Sequence, residues 1–103
     1  MADVEIRREG TSAVVNPRGD ILSSTVPQIQ IALRDLVRSG VREMVFDMES
    51  ASMIDSTGLG LLLAAFNSLT SVGGKFSVVH VSDEILDLFR TMRIHQHFSV
   101  SGR

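Results

Sequence analysis

Three short apolar runs, Ala13-Val14-Val15, Met44-Val45-Phe46 and Phe76 to Val81, are each followed by a stretch whose apolar residues recur at helical spacing. This alternation constrains the fold more than any other feature of the chain. A strand that passes through a helix into the next strand of the same sheet does so by a right-handed crossover, and repetition of that unit builds a parallel sheet. The expected class is α/β: a single-domain, open, mainly parallel β-sheet with helices packed on it. A chain of 103 residues fits one such domain, taken here as residues 1–103, and leaves no room for a second core.

The elements can be placed along the chain. Val4-Glu5-Ile6-Arg7 alternates like a half-exposed strand. A tight connection at Glu9-Gly10-Thr11 turns it into the Ala13-Val15 strand as a hairpin, which Asn16-Pro17-Arg18-Gly19 is expected to end because proline has no ladder donor. Ser24 or Thr25 caps a first helix, with Pro27 in its first turn and Gln28 completing a capping box with Thr25. Its inward stripe is Val26, Ile29, Leu33, Leu36 and Val37, and Gly40 closes it. Met44-Val45-Phe46 reads as a strand buried on both faces. Asp55-Ser56-Thr57 opens a second helix carrying Leu59, Leu62, Leu63, Phe66 and Leu69, closed by Gly73-Gly74. After the Phe76–Val81 strand, Ser82 and Asp83 cap a short helix with Ile85, Leu86, Phe89 and Met92 inward, and Phe98 to Val100 forms a last strand.

Composition excludes several functions. Ten basic and 12 acidic residues give a net charge of -2, so there is no basic footprint for nucleic acid or for an anionic membrane. Five Phe without Trp or Tyr supply few stacking platforms for single-stranded nucleic acid. The chain has no cysteine, which removes disulfides, zinc-thiolate sites and thiol nucleophiles and points to a reducing compartment. Met1 to Gly10 lacks the apolar stretch of a signal peptide, and the longest apolar run, Leu59 to Phe66, is too short for a bilayer. A cytoplasmic protein is expected.

Catalytic signatures are missing as well. Ser56 is not in a G-x-S-x-G elbow, and no base stands at a recognisable spacing from it. Gly58-Leu59-Gly60 lacks the lysine of a P-loop, and Gly73-Gly74-Lys75 follows a helix rather than a strand. His80 lies within an apolar strand pattern and is assigned a structural role. His95 and His97 lack a third ligand at a suitable spacing and are assigned to a solvated loop. Neither catalytic residues, nor a metal site, nor a cofactor is expected.

The segment Met53-Ile54-Asp55-Ser56-Thr57-Gly58-Leu59-Gly60-Leu61-Leu62 admits a plain reading, since Asp and Ser are good helix N-caps. It also holds more than a cap needs. Ser56, Thr57 and Gly58 form a small, reachable hydroxyl site. Two glycines in the first turns weaken the helix by up to about 1 kcal/mol each and permit close approach of another surface. Leu61 and Ala64 fall off the apolar stripe, so either the helix is buried on several sides or Leu61 belongs to an exposed patch beside Ser56.

At these residues the chain resembles the STAS domain family, in its form as bacterial anti-sigma factor antagonists. The motif from Ile54 to Gly60 carries most of the likeness. Gly73-Gly74-Lys75 before a Val-rich strand, Leu86-Asp87-Leu88-Phe89, the Ile94 to Phe98 stretch, Gly19 and the Ser24-Thr25 helix start follow in register. The resemblance implies a protein that is not an enzyme. In its unphosphorylated state it binds an anti-sigma factor with a kinase-type ATPase fold, which phosphorylates it at Ser56 and lets it go. A PP2C-type serine phosphatase restores the serine. The surface expected to meet the partner comprises Asp20, Asp55, Ser56, Thr57, Gly58, Leu59, Gly60 and Leu61. Where the family commonly has Gly-Glu-Leu-Asp before the first helix, this chain has Gly19-Asp20-Ile21-Leu22, so Asp20 keeps an acid and Leu22 replaces one. The competing reading is a constitutive STAS interaction subunit or scaffold in which Asp55 and Ser56 only cap the helix.

Overall fold

A computed structural model describes residues 4–103. Strand β1 (Val4–Glu9) turns back antiparallel onto β2 (Ser12–Pro17). Helix α1 (Val26–Arg38), β3 (Glu43–Asp47), α2 (Ser56–Ser71), β4 (Lys75–Val81), α3 (Asp83–Thr91), a 3-10 turn (Ile94–Gln96) and β5 (Ser99–Gly102) follow. The strands lie side by side in chain order, with β2, β3, β4 and β5 parallel. Residues 1–3, where the domain and the Met1 to Gly10 alternation begin, lie outside the described residues.

Chain-order strands and right-handed crossovers together have a geometric consequence. Each crossover steps in the same direction across the sheet, so all three helices must land on one face. Burial agrees. Ala13, Met44 and Phe76 are in register and buried, as are Val15, Phe46 and Val78, whereas the interleaved Val14, Val45 and Ser77 are only half-buried. This corrects the expectation that Met44-Val45-Phe46 is buried on both faces: Val45 belongs to the uncovered face. The packed face is closed by Ile29, Leu33 and Leu36 of α1, Leu62 and Leu69 of α2, and Ile85 and Phe89 of α3.

Smaller corrections follow from where elements end. Pro17 lies inside β2 and is buried, not beyond it. The β2–β3 ladder stops at Val15, so Pro17 faces a neighbour only in Val4 of β1 and its missing N–H leaves no gap between two strands. Strand β1 is the sheet edge and is exposed apart from Val4. Its Arg8 reaches across to the C-terminus of α1, donating to the Ser39 carbonyl at 2.8 Å, a favourable place for a cation at a helix end. Thr25 precedes α1 but does not cap it. Its hydroxyl turns back to accept from Leu22 N–H at 3.1 Å and to donate to the Asp20 carbonyl at 2.9 Å. Met92, expected inward, is 49% exposed because α3 stops one residue earlier.

Candidate functional site at the start of α2

The loop after β3 returns beside the loop after β2. Ile54 bridges in parallel to Ile21, with Ile21 N–H donating to the Met53 carbonyl at 3.1 Å and Asp55 N–H to the Ile21 carbonyl at 3.3 Å. Two carboxylates then cross between the loops in opposite directions. Asp20, on the first loop, accepts from the Ser52 and Met53 amides on the second, at 2.8 and 3.1 Å. Asp55, on the second, accepts from Ser23 N–H on the first at 2.8 Å through one oxygen, and from Gly58 N–H at 2.9 Å through the other. Asp55 is therefore both the N-cap of α2 and a tie to the start of the neighbouring helix.

The Gly58 amide first, and the Ser23 amide second, stabilise the ionised form of Asp55 and hold its carboxyl below the ordinary value of 3.8. A depressed pKa contributes stability that is complete above the unfolded-state value and disappears as pH falls through the folded-state value. Asp55→Ala is accordingly expected to melt at lower temperature than the unsubstituted chain above about pH 4. The two melting temperatures should converge as the pH is lowered below that, followed by thermal denaturation across pH 2 to 7. A gap independent of pH would show that the ionised carboxylate is not what matters.

Ser56 is the first residue of α2, exposed, and its hydroxyl forms no hydrogen bond with the described residues. Thr57 and Gly60 are exposed beside it. Residues four apart stack on one helix face, so Gly60 lies one turn below Ser56, and a Cβ on Gly60 would meet nothing within 4 Å. Asp20 and Asp55 are half-buried. The other expected contact residues point inward. Gly58 is buried, Leu59 is 6% exposed and Leu61 is 5% exposed. Leu61 is thus core, and of the two readings of the apolar α2 the structure selects burial on several sides.

Sequence pattern missed two parts of the site. One is the Ser23 amide, which no side chain signals. The other is Met53, three residues before Ser56, which is 60% exposed although its N–H and carbonyl are both bonded. Its only sequence signal is a large apolar residue outside any helix or strand pattern. Leu22 is half-buried and its backbone forms the turn into α1, so it brings no third carboxylate to Ser56. His80 lies outside the packed core that its apolar neighbours suggested. His95 and His97 are exposed, with the His97 ring edge-on to Phe66 at 6.4 Å. No helix among the described residues is long and apolar enough to cross a membrane.

Residues 3–102 match the family model of the STAS domain. The chain belongs to the STAS domain family. A 71-residue stretch is 32% identical to the anti-sigma-B factor antagonist of Staphylococcus aureus, covering 69% of this chain and 66% of that protein, just under two thirds of its length. The anti-sigma-B factor antagonist of Bacillus subtilis is 23% identical over 101 residues, 98% of this chain and 92% of that one. Among solved structures, protein TM1081 of Thermotoga maritima superposes with a TM-score of 0.90 at 14% identity, over 97% of this chain and 86% of that one. The unphosphorylated anti-sigma factor antagonist SpoIIAA superposes with a TM-score of 0.75 at 19% identity, over 100% and 88%. The mainly parallel α/β sheet expected from the alternating elements and the STAS family implied by the resemblance are therefore both found.

Proposed function

We propose that this STAS domain is an anti-sigma factor antagonist controlled by phosphorylation of Ser56. The observation that carries the reading is an exposed serine hydroxyl, without a partner among the described residues, on a helix start whose backbone is fixed by two carboxylates crossing between loops. The names of its Staphylococcus and Bacillus relatives support the same role. Unphosphorylated, the domain binds an anti-sigma factor with a kinase-type ATPase fold in the cytoplasm and frees the sigma factor. That partner transfers phosphate to Ser56, the complex separates, and a PP2C-type phosphatase resets the switch. The chain acts through binding and catalyses nothing itself.

Ser56, Thr57 and Gly60 form the exposed centre of the proposed surface, with Asp20 and Asp55 holding its shape. Gly58, Leu59 and Leu61 support it from below. A phosphate adds about -1.5 to -2 charges at neutral pH. At Ser56 it meets the free N–H groups and positive end of α2, which tolerate an anion. The fold is therefore unchanged by modification, and the effect falls on the complex.

The test is incubation with ATP and the cognate anti-sigma factor, then mass measurement. One added phosphate is expected, located to Ser56 and absent from Ser56→Ala. Stable complex formation with no phosphate transfer would favour the constitutive interaction subunit.

A further inference from the structure

We infer that Asp47, Glu49 and His80 form a binding site for a divalent first-row transition-metal ion. The three side chains come from the end of β3, the loop after it and the end of β4, and one ligand atom from each lies within 4.8 Å of the other two. A zinc ion bonds imidazole nitrogen and carboxylate oxygen at about 2.0–2.2 Å. Its donors then stand roughly 3 to 3.5 Å apart. The observed cluster needs only a modest closure to reach that.

The chain arranges these groups at some cost. In regular alternation His80 would face the helices with Phe76 and Val78. Instead the register between β4 and β5 slips between Val78 and Val81, leaving one extra residue on β4. A bulge of this kind re-aims a side chain. Val81 turns fully into the core, and His80 takes a left-handed backbone with φ 57° and lies 2.9 Å from Asp47. A left-handed conformation is uncommon in any residue but glycine. Asp47 is buried, and its bonded oxygen also accepts from Glu49 N–H at 3.0 Å. The Glu49 carboxylate is exposed with no partner among the described residues, free to rotate onto an ion.

The backbone behind the cluster is pinned. Arg103 donates to the carbonyls of Glu49 at 2.6 Å and of Met48, Ala51 and His80 at 3.2 to 3.3 Å. With neutral imidazole, the Asp47 and Glu49 carboxylates leave the cluster negative, which suits a cation. On binding, the single N–H of neutral imidazole sits on Nε2, and the ion takes the place of the proton between His80 Nδ1 and Asp47, with neutral imidazole and both carboxylates as ligands and no net proton released. Water completes the coordination. Such an ion would join β3, β4 and the loop that leads to Ser56.

The experiment is calorimetric titration of zinc ion into the purified chain, its His80→Gly and Glu49→Gln variants, and the double variant His95→Ala/His97→Ala. Glycine suits the left-handed backbone at position 80, so His80→Gly removes the imidazole without threatening the fold. Losing an outer-shell partner of a metal ligand typically weakens affinity by about 10- to 100-fold, and losing a ligand costs at least as much. One zinc ion per chain is expected. His80→Gly should weaken binding at least tenfold and Glu49→Gln, which keeps an uncharged oxygen donor, by a smaller factor, while the His95/His97 double variant should match the unsubstituted chain. Cobalt ion should give a visible absorption band that is absent with His80→Gly. The inference is overturned if the unsubstituted chain binds no stoichiometric zinc, if binding survives His80→Gly unchanged, or if it is lost in the His95/His97 variant.

Discussion

Phosphorylation of Ser56 is expected to weaken binding to the cognate anti-sigma factor by roughly 100- to 1000-fold, while Ser56→Ala binds as tightly as the unmodified protein. The magnitude follows from charge and position. Ser56 is exposed in the free protein but lies at the centre of the proposed contact, so docking strips its water. A phosphate there must be desolvated against the partner with the Asp55 carboxylate on the neighbouring residue. Leaving a buried charge unpaired in an interface costs about 2–5 kcal/mol; the middle of that range, about 3–4 kcal/mol, is two to three factors of ten at about 1.4 kcal/mol each. Ser56→Asp carries one charge rather than about two and should reproduce part of the loss. Binding is measured by titration calorimetry, with melting temperatures of the free variants alongside. The melts should differ little, because the N-terminus of α2 accepts an anion. Equal binding by Ser56→Asp and the unmodified chain would refute an electrostatic switch. A large fall in its melting temperature would mean that the effect runs through the fold instead.

The two arms of that comparison depend on different parts of the sequence. The existence and order of the strands and helices were legible because each apolar run keeps its period over several residues, and that fixed the fold class. The N-cap role of Asp55 was legible too, because Asp before a Ser-Thr-Gly turn is a local signal. What escaped local reading was set by distant partners. The second bond of Asp55, to Ser23, and the hold of Asp20 on the Ser52 and Met53 amides depend on two loops 32 or 33 residues apart in the chain. The inward turn of Leu61 depends on α2 being packed on more than one side. The bulge that sends His80 to Asp47 has no glycine or proline to mark it, so an apolar run with one histidine gave no warning of it. Thr25 shows the reverse error, a good capping residue whose hydroxyl found nearer partners in the turn before it.

The glycines of α2 looked alike in sequence and are expected to behave in opposite ways. A Cβ on Gly58 would stand 2.4 Å from the Ile21 carbonyl oxygen and 2.6 Å from Ile54 Cγ1. The first neighbour is backbone, held by the Asp55 amide and the parallel bridge, and cannot rotate away. Overpacking a rigid core costs typically 1–3 kcal/mol. Gly58→Ala belongs at or above the top of that range, about 3 kcal/mol or more. For a domain of this size that lowers the melting temperature by more than about 10 °C. Gly60 has open space where its Cβ would go, so Gly60→Ala gains helix propensity of up to about 1 kcal/mol and should melt several degrees higher. Gly60 is nevertheless one turn below Ser56 on the exposed face. If its role is to let the partner's surface approach, the added methyl must separate the two surfaces, and binding to the anti-sigma factor should fall about tenfold or more although the free protein is more stable. Thermal denaturation and titration of the same two variants decide the matter. A stabilised Gly60→Ala that binds normally would place the contact away from this helix face, while a Gly58→Ala that melts normally would mean that the two loops can part without cost.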